Sequence, residues 1–106
     1  MTHVTDSTFA EILANNSVCV LDFSATWCAP CKKLSQVIED LATEYEGKAL
    51  IAKIDIEECP ETTEMFEIMS VPTVLFFKNG ELQSEKVVGF DITTKQILQE
   101  KIDALI

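Results

Sequence analysis

The sequence predicts an α/β fold, a mixed central β-sheet with helices packed on both faces. Three observations lead there. Short apolar, β-rich runs alternate along the chain with segments of helical periodicity, the pattern of parallel strands joined by helical crossovers. An Asn79-Gly80 pair between two β-rich runs marks a hairpin, because both central positions of a type I′ turn need positive φ. Finally, the pair Cys28-x-x-Cys31 sits where an apolar run, Val18 to Phe23, gives way to a long amphipathic segment.

Each element has its own signals. A brief strand at His3 to Thr5 precedes a first helix from Ser7 to Asn15. Asp6 or Ser7 can cap that helix, Phe9, Ile12 and Leu13 form its apolar face, and Asn15-Asn16 end it. Val18 to Phe23 is apolar except for Asp22, as expected of a central strand covered on both sides. Strand alternation puts Val18, Val20 and Asp22 on one face and Cys19, Leu21 and Phe23 on the other. In the second helix Leu34, Val37, Ile38, Leu41, Ala42 and Tyr45 make a continuous stripe, which runs toward Gly47 as the expected C-terminal cap. Ala49 to Asp55 is the next strand, apolar but for Lys53. Pro60 suits the first position of a third, shorter helix that buries Met65, Phe66 and Met69. Val71-Pro72-Thr73 leads into the strand Val74 to Lys78. Beyond the turn, Leu82 to Val88 carries Glu85 and Lys86, which suits a sheet edge, and Gly89 closes it. A last helix, Thr93 to Leu105, turns Ile97, Leu98, Ile102 and Leu105 inward. The order (β)αβαβαββα gives right-handed crossovers around a parallel centre, with the hairpin adding an antiparallel edge.

A chain of 106 residues reads as one domain, residues 1–106, around one hydrophobic core. With 47% hydrophobic and 25% charged residues it is not a disordered chain. The net charge of −10 comes from 18 acids against eight lysines, with no arginine. Such a surface repels phosphate backbones and offers no bidentate fork, so nucleic acid and anionic membrane are set aside as partners. The longest apolar runs are far too short to span a bilayer. Met1 to Asp6 has neither the basic nor the apolar region of a signal peptide. The expected compartment is the cytoplasm, where a C-x-x-C is more often catalytic or metal-binding than a structural staple.

Two cysteines at this spacing can close a small disulfide ring or clamp a metal. Their placement favours the first. At a helix start, unpaired backbone N–H groups and the positive end of the dipole favour a thiolate at Cys28. Pro30 has no N–H to lose there, Lys32 and Lys33 follow, and no acid appears before Glu39. Cys28 is thus the expected exposed nucleophile of thiol–disulfide exchange, and Cys31, one turn further in, the resolving thiol. Asp22 is the only charge in a strand that otherwise reads as core. Burial should raise its pKa and make it a proton acceptor for Cys31. Lys53, if on the same face, offsets that charge. Cys19 reads as a buried inert thiol. Cys59 stands among Glu57, Glu58, Glu61 and Glu64, which disfavour a thiolate and make it weakly reactive, with oxidation sensing or dimer formation as the minority reading. Neither Cys19 nor Cys59 has paired spacing with a second ligand, and His3 is the sole histidine, so a zinc or iron–sulfur module is the lesser reading.

Taken together, these residues resemble the thioredoxin family over nearly the whole chain. Asp22-Phe23-Ser24-Ala25-Thr26-Trp27-Cys28-Ala29-Pro30-Cys31-Lys32 looks like the family's active-site stretch, and Ala52-Lys53-Ile54-Asp55 like its third-strand segment. Val71-Pro72-Thr73 looks like its cis-proline loop, Phe77-Lys78-Asn79-Gly80 like its hairpin, and Val88-Gly89 like the glycine before the last helix. The resemblance implies a thioredoxin fold and a protein-disulfide reductase acting on exposed disulfides of other proteins. It implies a monomer with no bound cofactor, its electrons supplied by a partner, an NADPH-linked thioredoxin reductase. It also implies that Asp22 is the buried general acid/base, that Pro72 is cis, and that Val71 offers a backbone edge to an extended substrate. Trp27, Ala29, Pro30, Gly89 and Phe90 would complete the substrate groove. Two positions depart from the family pattern: Ala29 stands where glycine is usual between the cysteines, and Gln36 where many members have a helix-kinking proline. A non-catalytic interaction module is a third reading, against which the intact Cys28, Cys31, Asp22 and Pro72 argue.

Overall fold

A computed structural model describes residues 1–106. Its elements are β1 (Thr2–Val4), α1 (Phe9–Asn15), β2 (Val18–Ser24), α2 (Ala29–Glu44), β3 (Leu50–Asp55), α3 (Pro60–Met65), β4 (Thr73–Lys78), β5 (Glu81–Val88) and α4 (Thr94–Leu105). The five strands form one sheet in the order β1-β3-β2-β4-β5. β1, β3 and β2 run parallel, whereas β4 is antiparallel to both β2 and β5. This is a mixed sheet with helices on both faces, the architecture that the resemblance implies. The parallel strands occupy one side of the sheet rather than its centre. β2, apolar but for Asp22, is the middle strand as its composition demands, and the charged β5 is an edge.

Strand alternation divides the interior into two layers. Cys19, Leu21 and Phe23 of β2 face α1 and α3, where Phe9, Phe23, Phe66 and Phe77 meet edge to face at 5.4–6.4 Å between ring centroids. On the opposite face Val20, Ile51, Val74 and Phe76 pack against Leu34, Ile38 and Leu41 of α2 and Leu98 and Ile102 of α4. Each such side chain, fully removed from water, contributes roughly 1.5–3 kcal/mol. At the hairpin, Asn79 (φ 51°) and Gly80 (φ 81°) both take the left-handed conformation that the turn requires. No helix is long and apolar enough to cross a membrane.

Several expectations are corrected. Thr8 precedes α1, and neither Asp6 nor Ser7 caps it. The Asp6 carboxylate instead accepts from the Glu61 and Thr62 amides and the Thr62 hydroxyl, capping α3 from across the fold. The hydroxyl bond to Thr62 is the main reason that the Asp6 carboxyl titrates below its usual range. α3 ends at Met65 because the chain turns away through Glu67 at positive φ, so Phe66 packs inward while Met65 and Met69 are exposed. α2 ends before Gly47, which lies in the following turn at φ 83°. Ile97 lies on the outer side of α4, exposed, whereas Leu98 and Ile102 face in.

Candidate active site

β2 ends at Ser24, at the carboxyl edge of the sheet, and the chain turns through Ala25-Thr26-Trp27 into α2. The Cys28 amide donates to the Ala25 carbonyl at 3.2 Å, which fixes that turn. Cys28 is the N-cap of α2 with extended backbone (φ −93°, ψ 114°), and its Sγ accepts from the Cys31 amide at 3.2 Å. One of the orphan donors of the helix start is therefore aimed at sulfur. Ala29 and Pro30 fill the first two helical positions, and the first turn carries no acid. Cys28 and Cys31 are joined in a disulfide across a Cα–Cα separation of 5.2 Å.

Contrary to expectation, Cys28 is not exposed. Only 5% of its surface is open, because Ala25, Ile56 and Val71 pack around the cysteine pair. Ile56, the first residue beyond β3, was not foreseen as part of this site. The Val71–Pro72 bond is cis, and the Val71 carbonyl oxygen lies 3.8 Å from Cys28 Sγ. In the disulfide that sulfur has no proton to donate, so this is a contact. Gly89 joins the same edge through its amide, which donates to the Pro72 carbonyl at 2.9 Å. Trp27, beside Cys28, is 67% exposed, while Phe90 is half-buried against the α2–α4 layer. Met69 and Ile92, also on loops next to Val71 and Gly89 in the chain, are among the most exposed apolar side chains, although periodicity had marked Met69 as core.

Asp22 lies beneath this edge on the α2 side of β2, 1% exposed, and neither carboxylate oxygen has a hydrogen-bond partner. Desolvation raises its pKa to about 7, against the opposing pull of Lys53. In the parallel register Lys53 of β3 stands directly opposite Asp22, hence on the same face. Its ammonium, however, turns toward α2. It donates to the Ser35 hydroxyl and lies 3.6 Å from a Glu39 carboxylate oxygen.

The remaining thiols lie apart. Cys19 is buried in the α1–α3 layer and burial pushes its pKa up to about 11. Cys59 is also buried, donates to the Val4 carbonyl at 3.2 Å, and is shifted upward by desolvation first and by Asp6, Asp55 and Glu58 after it. No three His, Cys, Asp or Glu side chains converge on a point that would hold a metal ion. A cavity of about 600 Å³ at the far ends of β2 and β3 contains no cysteine.

Comparison with known proteins agrees with this geometry. A family model described as Thioredoxin matches residues 1–104. A thioredoxin of Staphylococcus haemolyticus is 49% identical over 100 residues, covering 94% of this chain and 92% of that protein. A thioredoxin of Staphylococcus saprophyticus is 48% identical over the same shares. Among solved structures, the chain resembles Plasmodium falciparum thioredoxin with a TM-score of 0.88 and 30% identity, each chain covered fully. A mutant thioredoxin from Halobacterium salinarum gives 0.86 and 31%, with 98% of this chain and 88% of that one covered.

Proposed function

This chain belongs to the thioredoxin family of thiol–disulfide oxidoreductases, and from that premise we propose that it works as a protein-disulfide reductase. The observation that carries the reading is a Cys28–Cys31 disulfide at a helix N-cap, directly beside the cis Val71–Pro72 bond and above the buried Asp22. In the reduced protein the Cys28 thiolate, favoured by the helix-start amides, attacks one sulfur of a substrate disulfide and expels the other as a thiolate. Cys31 then attacks Cys28 Sγ, releasing the second substrate sulfur and forming the Cys28–Cys31 bond. Two electrons pass from the cysteine pair to the substrate. Asp22, with a pKa near neutrality, accepts the Cys31 proton on attack and returns one on reduction.

Substrate is held by backbone at Val71 and by the apolar shoulder of Trp27, with Pro72, Gly89, Phe90, Ala29 and Pro30 around it. Met69 and Ile92 extend that rim. Lys53 tempers the charge on Asp22. Ala29, in the Trp-Cys-Ala-Pro-Cys sequence, replaces the glycine usual at that place and stiffens the redox ring. The domain spans residues 1–106, acts as a monomer in the cytoplasm, and is re-reduced by a thioredoxin reductase that draws on NADPH.

Reduction of insulin disulfides by dithiothreitol tests this reading. Catalysis by the protein supports it, and a rate no better than dithiothreitol alone overturns it. A Cys28–Cys31 potential at or below the cytosolic glutathione poise is expected of a reductant, whereas a much more oxidising one would mark an oxidase or isomerase.

A further inference from the structure

Lys53 has two anionic claimants, and the structure gives it to the wrong one for charge neutralisation. The register of β2 and β3 sets Lys53 opposite Asp22, where an ion pair would be expected between two groups largely shielded from water. Both Asp22 oxygens are nonetheless without a partner. The ammonium is taken instead by Ser35 and Glu39, which stand four residues apart on α2 and so share one face of it. The Ser35 hydroxyl also donates to Glu39 at 3.4 Å, so the three side chains form one network. That network borders a shallow cavity of about 170 Å³ that reaches Cys31.

We propose that Ser35 and Glu39 are positioning residues for the exchange reaction: by anchoring the Lys53 ammonium on α2 they keep it from closing an ion pair with Asp22, and so leave that carboxyl free to take up and release the Cys31 proton. The inference rests on the proposed role of Asp22. An Asp22 bonded to Lys53 would be held ionised well below neutral pH, with little tendency to carry a proton back to sulfur. An Asp22 with no cation nearby would stay protonated and could not accept one. Anchored at a remove, Lys53 opposes burial without overcoming it. The other charged and titratable groups on this side are few. Cys31 comes from α2, and Lys32, Asp55 and His3 stand at the cavity rim. β4 sets only Val74 opposite Asp22, and α4 faces the layer with Leu98 and Ile102.

The test is a carbon-detected NMR titration of the Asp22 carboxyl in the reduced protein without substrate. S35A/E39Q is expected to titrate about one pH unit lower than the parent, as Lys53 swings onto the carboxylate. E39D should stay near the parent. K53L should titrate higher, and adding S35A/E39Q to K53L should change nothing further. The acid limb of disulfide reduction should follow the same shifts. Should the double variant fail to fold, Glu39→Gln alone, at an exposed position, gives the same reading. An unchanged Asp22 titration in the folded variant overturns the proposal. So does a drop that persists in the K53L background, since it would then not pass through Lys53. A parent protein that fails to reduce insulin refutes the reductase reading instead, and leaves the carboxyl titration to decide the anchoring by itself.

Discussion

The Gly89 amide donates to the Pro72 carbonyl at 2.9 Å, tying the end of β5 to the loop that faces the disulfide. Gly89 does this at φ 82°, a conformation that costs an L-residue about 1–2 kcal/mol. No atom stands within 4 Å of where a Cβ would sit, so the cost is conformational. Gly89→Ala is therefore expected to lose about 1 kcal/mol of stability in urea unfolding. Its KM for a protein disulfide should rise as the Val71–Pro72 edge loosens.

Asp22 makes stability depend on pH. Its carboxyl titrates at about 7 in the folded chain against 3.8 ordinarily. Between those values the folded state holds a proton that the unfolded chain has released, so stability falls as pH rises through that window and levels off above it. Three units correspond to roughly 4 kcal/mol. Asp22→Asn should thus stabilise the protein above pH 7, by up to about that amount, and have little effect below pH 4. Disulfide reduction should slow at the same time. Denaturant unfolding at pH 4, 6 and 8 checks the sign: a gain that does not grow with pH contradicts it.

Trp27 is 67% exposed and so contributes little to the core. Trp27→Ala should leave the midpoint of thermal unfolding nearly unchanged while lowering kcat/KM for a protein disulfide about tenfold, the effect of losing an aromatic anchor. A small-molecule disulfide, which has no flanking chain to hold, should be reduced almost as fast as before.

All four cysteines are buried, but only Cys28 caps a helix start, where an amide is aimed at its sulfur. Burial raises the pKa values of Cys19 and Cys59, and the Cys59 thiol is engaged by Val4. After reduction at neutral pH, iodoacetamide should label Cys28 first. Cys19 and Cys59 should react only once the protein is unfolded, as peptide mapping by mass spectrometry would reveal.

How far the sequence was legible follows from how local each signal is. The stripe of α2, the apolar β2, the Asn79-Gly80 turn and the helix-start position of Cys28 each rest on residues adjacent in the chain, and each stands where the pattern put it. Met65 and Met69 were misread as core because periodicity cannot see that Glu67 turns the chain at positive φ. Asp6 stands close enough to α1 to cap it, but its partners at Glu61 and Thr62 arrive only through the fold. The burial of Cys28 under Ile56 and Val71, and the hold of Ser35 and Glu39 on Lys53, are likewise products of tertiary approach. An i, i+4 pair of Ser35 and Glu39 on the face toward Lys53 was the one local hint of that network.

The central claim, that Cys28 attacks and Cys31 resolves, is tested most directly by trapping. Cys31→Ser, incubated reduced with a disulfide-bonded protein substrate, should accumulate a covalent adduct through Cys28 that dithiothreitol releases. Cys28→Ser should form no such adduct and turn over no substrate. A Cys28→Ser protein that still reduces disulfides, or an adduct mapped to Cys19 or Cys59, would contradict the account.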